Sequence, residues 1–273
     1  MKKTFSISSS LVFIFLWGIN VNTHAVNHPP VQISNSQSMI VKSAINNTDY
    51  EIQVALPNRY QESQTRYPVV YLLDANNDFP LVTSISRRLY QEDNLNPIII
   101  VGISYKKDAY IHRTADYTPT QSNEKIKSGQ ANKFIEVIKQ EVIPLIDSTY
   151  RTQTDNRTIA GHSLGGLFGA YQIIKNGDLF NKYIISSPSL WWDNFKTFSF
   201  AQHMDQKPIK VFVSVGAMEG EHMKRSAKKM INFLEKHRDK ANVKTTILNG
   251  ETHGTAKFRA YADSFRWLFK GDS

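Results

Sequence analysis

The sequence predicts an α/β protein: a mostly parallel, doubly wound sheet opened by an antiparallel hairpin, all in a single domain. Three observations carry this expectation. Residues 69–73 (VVYLL) and 98–101 (IIIV) are apolar without alternation, as strands covered on both faces are. Stretches with apolar residues three or four apart alternate with these and later strand-like runs. No linker rich in Pro, Gly and Ser divides the chain beyond about residue 37.

The elements follow in order. Residues 38–44 and 50–56 flank the turn-forming Asn46-Asn47-Thr48-Asp49 and read as the hairpin. After the strand at 69–73, Leu81, Ile85 and Leu89 recur at helical spacing, and the strand at 98–101 follows Pro97. Phe134, Ile138, Val142, Leu145 and Ile146 mark a long helix that Pro144 should kink. Strands are expected at 157–160, 182–185, 209–215 and 243–248, and helices at 164–174, 222–236 and 255–269.

Residues 1–25 have a different grammar. Lys2 and Lys3 precede a short apolar run at 11–19, and the small residues Thr23 and Ala25 close the polar stretch after it. This is the pattern of a secretory signal peptide cleaved after Ala25. The apolar run is shorter than the ~18–20 residues that span a bilayer, which favours cleavage over a retained anchor. The expected mature domain is therefore 26–273, periplasmic or secreted, with 26–37 as a loose leader and no stable membrane span. The chain has no cysteine, so disulfides, cysteine-ligated zinc, a thiol nucleophile and a lipidated cysteine are excluded.

The net charge is +9, or +7 without Lys2 and Lys3. Lys and Arg are scattered rather than clustered, so a nucleic-acid partner is not expected. The excess suits an anionic substrate or surface instead.

The chemistry concentrates at Gly161-His162-Ser163-Leu164-Gly165, followed by Gly166. G-x-S-x-G between a strand and a helix is a nucleophile elbow: small residues two positions either side let the two backbones close on a sharp turn with the serine at its apex. The backbone N–H of Leu164 then opens a helix and can face a developing oxyanion. A serine hydroxyl is a weak nucleophile and needs a base. His253, in the loop after the last strand, has the chain order this architecture requires. His24 and His28 lie in or beside the signal segment, and His162 lies inside the motif. His222 and His237 read as helix-surface residues, and His112 and His203 as loop residues. The acid belongs after the strand at 209–215, where Glu219 is the first choice and Glu221 its rival. Glu251 is too close in sequence to His253 to reach behind its ring. A second oxyanion donor is expected from the backbone of Asn76 or Ala75, the alternative being a plain Asn/Asp turn before a helix. No H-E-x-x-H or P-loop pattern occurs, and no metal or other cofactor is expected.

Together these pieces resemble the putative-esterase family of α/β-hydrolases, which includes esterase D, the bacterial mycolyltransferases and the siderophore trilactone esterases. The resemblance runs from about Ser38 to the C-terminus. It is carried by YLLDANNDF (71–79), RTADYTPT (113–120), GHSLGG (161–166), SPSLWW (187–192), VGAMEG (215–220) and THG (252–254). It implies the α/β-hydrolase fold and Asn76 as the second oxyanion donor, although the family usually has Gly where Ala75 stands. SPSLWW and R-x-x-D-Y-T-P look most like the siderophore-esterase branch, some of whose periplasmic members have a weak or absent acid. Trp191 and Trp192 would form an aromatic wall for a catechol or acyl group, or else pack a cap. Arg113 would bind an anionic substrate, or else form a salt bridge. His162 is placed with these residues as a substrate contact. The expected activity is that of a serine carboxylic-ester hydrolase using Ser163, His253 and Glu219. The expected substrate is a small-molecule ester: a polyester or ester-linked (trilactone) siderophore in the periplasm, with a ferric siderophore as a candidate partner. The alternatives are a generalist carboxylesterase and an acyltransferase with the same triad.

Overall fold

The unbroken apolar runs lie in the strands that the sheet buries most completely. The computed structural model describes residues 31–122, 125–201 and 207–271; the expected signal segment and His203 lie outside them. Eight strands form one sheet: β1 (Ser36–Lys42), β2 (Asp49–Ala55), β3 (Tyr67–Leu72), β4 (Ile99–Tyr105), β5 (Thr152–His162), β6 (Lys182–Ser186), β7 (Ile209–Gly216) and β8 (Ala241–Leu248). Their spatial order is β1-β2-β4-β3-β5-β6-β7-β8. β1 with β2 and β2 with β4 are antiparallel, and every later pairing is parallel. Every residue of β3 and β4 is buried. This is the α/β-hydrolase fold, and the described residues from Ile33 onward form one compact unit.

The two-residue period of a strand divides the core. Val69, Tyr71 and Leu73 face one way with Ile159, Ile185 and Val213, against Phe134, Phe168 and Met230 of the helices. Val70, Leu72, Ala160 and Ile184 face the other way, against Phe79 and Val82 of α1 (Ala75–Glu92) and Tyr261 and Phe265 of α7 (His253–Leu268). The remaining helices, α2 (Ala109–Tyr117), α3 (Ala131–Val137), α4 (Ile143–Thr149), α5 (Leu164–Ile174) and α6 (Glu221–Glu235), follow the sequence pattern with two differences. The expected kink at Pro144 is a π turn over residues 138–142, between α3 and α4, in which the Ile143 N–H donates to the Ile138 carbonyl. Proline has no N–H to give, and its ring would strike the carbonyl of Gln140; widening one turn removes that clash without stopping the helix. α2 was not expected. β1 begins within the segment read as leader, and β5 reaches back to Thr152.

Because the strands from β3 onward are parallel, their C-terminal ends share one sheet edge, where the loops after β3, β5, β6, β7 and β8 converge. α1 lies hard against that sheet. A Cβ on Gly102 of β4 would stand 2.6 Å from the Ala75 Cβ and 2.9 Å from the Phe79 ring. Gly102→Ala should therefore push the first turn of α1 outward and lower stability by about 1–3 kcal/mol. Urea unfolding is the measurement that checks this.

Candidate active site

Ser163 occupies the corner between β5 and α5 at φ 59°, ψ −117°, a conformation that L-residues rarely adopt. Its sequence neighbours explain how the chain turns there. A Cβ on Gly161 would meet the backbone carbonyl of Gly165 at 2.4 Å, and one on Gly166 would meet the Ser186 oxygen at 2.9 Å. Only hydrogen at those positions lets strand, helix and the loop after β6 approach so closely. The Ser163 N–H donates to the Ser186 carbonyl at 3.0 Å, and the Ser163 carbonyl accepts from the N–H groups of Leu167 (2.9 Å) and Ser189 (3.0 Å).

Three loops bring their side chains to this corner. His253 opens α7, whose N-cap Thr252 exchanges hydrogen bonds with Thr255 in a capping box. Its Nε2 lies 3.0 Å from the Ser163 Oγ, and its Nδ1 lies 2.6 Å from the Glu219 Oε2. Glu219, in the loop after β7, is 5% exposed, and its Oε1 accepts from the Ser187 hydroxyl at 2.5 Å and the Gly216 N–H at 2.7 Å. Burial raises the pKa of this carboxyl, but the hydrogen bonds from His253, Ser187 and Gly216 outweigh it and hold the acid below its ordinary value. An ionised carboxylate only accepts, so the imidazole carries its proton on Nδ1 and presents a lone pair at Nε2 to the serine. The rival Glu221 is on the surface, its side chain 91% exposed and paired with Lys224.

The first turn of α1 borders the same corner. Asp74, its N-cap, sits at φ 56°, and its N–H donates to the Tyr117 hydroxyl at 3.2 Å. Ala75 and Asn76 are the first helical residues, so their N–H groups have no carbonyl within the helix to bond. Leu164 stands at the same position at the start of α5.

The family model described as "Putative esterase" matches residues 43–268. This chain belongs to the esterase family. Among its relatives, the ferri-bacillibactin esterase BesA of Bacillus subtilis is 28% identical, covering 71% of this chain and 74% of its own. The siderophore triacetylfusarinine C esterase of Aspergillus fumigatus is 28% identical over 76% of this chain and 75% of its own. Among solved structures, the BES protein of Bacillus cereus superposes with a TM-score of 0.82 at 27% identity, covering 89% of this chain and 98% of that one. Membership makes the chain, by class, a carboxylic-ester hydrolase.

Within this esterase framework, the other expected contacts have distinct surroundings. Arg113, on α2, is bound through Nε and Nη2 to both oxygens of Asp74 at 2.6 and 2.8 Å, and its guanidinium lies over the Tyr117 ring. Burial works against its charge, and the Asp74 pair more than restores it. Of the two expectations for Arg113, the salt bridge is present as a half-buried ion pair formed through Nε and Nη2. Asp116 of the same R-x-x-D-Y stretch is buried, accepts from the hydroxyls of Tyr50 (2.6 Å) and Tyr105 (3.2 Å), and is pushed by burial up to about 6. Trp192 is buried in the core, with its ring N–H on the Thr120 carbonyl, while Trp191 is 41% exposed, with its ring N–H toward the Met223 Sδ. Ser187 and Ser189 are the site residues that sequence reasoning passed over, although two small hydroxyl residues flanking a proline at the end of β6 were a visible signal.

His162, expected as a substrate contact, lies beneath His253. It is buried, its ring lies 4.6 Å from that of His253, and its Nδ1 meets the Ser186 hydroxyl at 3.1 Å. Burial, then the charges of His253 and Lys257, lower its pKa from 6.5 to about 3. The folded state therefore keeps His162 neutral where the unfolded chain protonates it, so its contribution to stability is lost as pH falls from 6.5 toward 3. His162→Asn should remove this acid sensitivity. The stability of the wild type relative to the variant is expected to decline steadily below pH 6.5, measured by urea unfolding across pH 4–7.

Proposed function

We propose that the chain is an exported serine esterase that cleaves carboxylic esters by two-step acyl transfer, with Ser163 as nucleophile, His253 as general base and Glu219 as acid. The observation that carries this reading is the continuous path of 3.0 Å from the Ser163 Oγ to the His253 Nε2 and 2.6 Å from the His253 Nδ1 to Glu219. Nε2 accepts the serine proton as Oγ attacks the ester carbonyl, while Glu219 keeps the ring in the required tautomer and stabilises the imidazolium. The N–H groups of Leu164 and Asn76, each at the first turn of a helix, take the negative charge of the tetrahedral intermediate. Its collapse expels the alcohol, which receives the proton from His253, and leaves an acyl-enzyme. Water deprotonated by the same imidazole then releases the acid.

For the substrate we propose a siderophore ester. Two lines support this: relatives at 28% identity are named for siderophore esters, and the indole of Trp191 stands exposed on the loop after β6, on the sheet edge that bears Ser163. Residues 1–25 as a cleaved signal peptide would place the domain 26–273 in the periplasm or outside the cell. No helix among the described residues is long and apolar enough to cross a membrane.

Ser163→Ala should lower kcat on p-nitrophenyl esters by at least about 10⁴-fold with an unchanged circular-dichroism spectrum, and Glu219→Gln by about 10²–10⁴-fold. Wild-type turnover in Ser163→Ala would sink the mechanism. Mass spectrometry of apo- and ferric-trilactone siderophores, feruloyl esters and simple esters, with and without acceptor alcohols, tests the substrate. The proposal expects trilactone opening to lead; preference for simple esters, or transfer to an alcohol, would replace it with a general esterase or an acyltransferase.

A further inference from the structure

We infer that Ser187-Pro188-Ser189 is a brace that holds both ends of the catalytic relay, Ser187 fixing the Glu219 carboxylate and Ser189 fixing the Ser163 hydroxyl. The inference rests on the triad reading above and adds two residues to it.

At the acid end, Ser187 is fully buried at φ 43°, and its N–H is bonded to the Ser214 carbonyl at 2.8 Å. Its hydroxyl and the Gly216 N–H both donate to the Glu219 Oε1. That oxygen is thereby occupied, and Oε2 is left for His253. Rotating the carboxylate away from the imidazole would break both outer bonds in a buried place, where the loss is not made good by water. Ser187 is a positioning residue acting through Glu219.

At the nucleophile end, proton direction can be followed from group to group. Glu219 accepts from Nδ1–H, so Nε2 is an acceptor and the Ser163 hydroxyl donates to it. The Ser189 Oγ lies 3.2 Å from the Ser163 Oγ, whose proton is already committed, so Ser189 is the donor in that pair. This bond selects the Ser163 rotamer that faces His253, and it is in place as charge builds on Oγ. The Ser189 N–H also donates to the Ser163 carbonyl, tying the brace to the corner itself.

Pro188 and Gly166 explain how the brace comes so close. A Cβ on Gly166 would stand 3.1 Å from the Pro188 Cα, so the last glycine of GHSLGG makes room for the SPS segment. The two motifs form one contact.

The test is steady-state kinetics on a p-nitrophenyl ester with Ser187→Gly, Ser189→Ala, each combined with Glu219→Gln, and Ser163→Ala alongside. Glycine suits the positive φ at 187, and Ser187→Ala is the second variant should the first not fold. Ser187→Gly should lower kcat about 10-fold with KM within about twofold, and should cause no further loss in the Glu219→Gln background, because its effect runs through the carboxylate. Ser189→Ala should lower kcat, and the rate of fluorophosphonate labelling of Ser163, about 5–10-fold in both backgrounds. Losses from Ser187→Gly and Glu219→Gln that multiply, or unchanged kcat in either serine variant, overturn the brace. Activity retained in Ser163→Ala overturns the triad reading and the brace with it; activity lost there with wild-type kcat in both serine variants overturns the brace alone.

Discussion

The close approach of Gly161 to Gly165 is the constraint on which the site depends. Backbone meets backbone at a distance no side chain tolerates, and the price is Ser163 at φ 59°, ψ −117°. A non-glycine residue held in such a region costs about 1–3 kcal/mol. The surrounding bonds over-determine it: the Ser163 N–H is held by Ser186 and its carbonyl by Leu167 and Ser189. A backbone corner fixed in this way is the pre-ordering that the nucleophile proposed at Ser163 would draw on, and is where such strain would have a chemical use.

Everything else at the site is positioned by elements that close on that corner. α1 is anchored on both sides of its first turn. Asp74 is tied to Arg113 of α2, and Asp78, four residues on, is tied to Lys257 of α7, with Tyr261 donating to its second oxygen. Burial raises the Asp78 carboxyl, with Lys257 opposing. Buried or half-buried pairs of this kind are poor evidence for net stability, since desolvation offsets their attraction. Their value is geometric: breaking one strands a charge, so the turn that presents the N–H groups of Ala75 and Asn76 is held to one place relative to α7, which carries His253.

Much of this was legible in the sequence, and the illegible parts share a cause. β3 and β4 could be read because strands buried on both faces lose alternation altogether. The corner could be read because its glycines are demanded by local sterics. α2 could not: in its nine residues the buried Thr114, Ala115, Asp116 and Tyr117 are consecutive, so no helical stripe appears. It is held instead by Arg113 on Asp74 and by Asp116 on two tyrosines from different strands, contacts that exist only once the sheet has formed. The same holds for Pro144, where the sequence signals a disturbance and not that a π turn will absorb it. Ser187 and Ser189 owe their partners to β6 lying between β5 and β7, which is a matter of topology rather than of residue pattern.

The electrostatics of the site run in one direction. Glu219 is sealed from solvent while the His253 side chain is 44% exposed, so the hydrogen-bonded chain leads from a dry carboxylate outward to a solvent-accessible imidazole. Sealing the acid strengthens its hold on the Nδ1 proton, since no water competes for Oε1 or Oε2. The same burial would make a second positive charge beside His253 costly, and His162, in ring contact with it, is driven to remain neutral. In the proposed mechanism an imidazolium formed at His253 would therefore meet one buried negative charge and no positive neighbour at ring-contact distance, which is the balance the proposed role of general base requires.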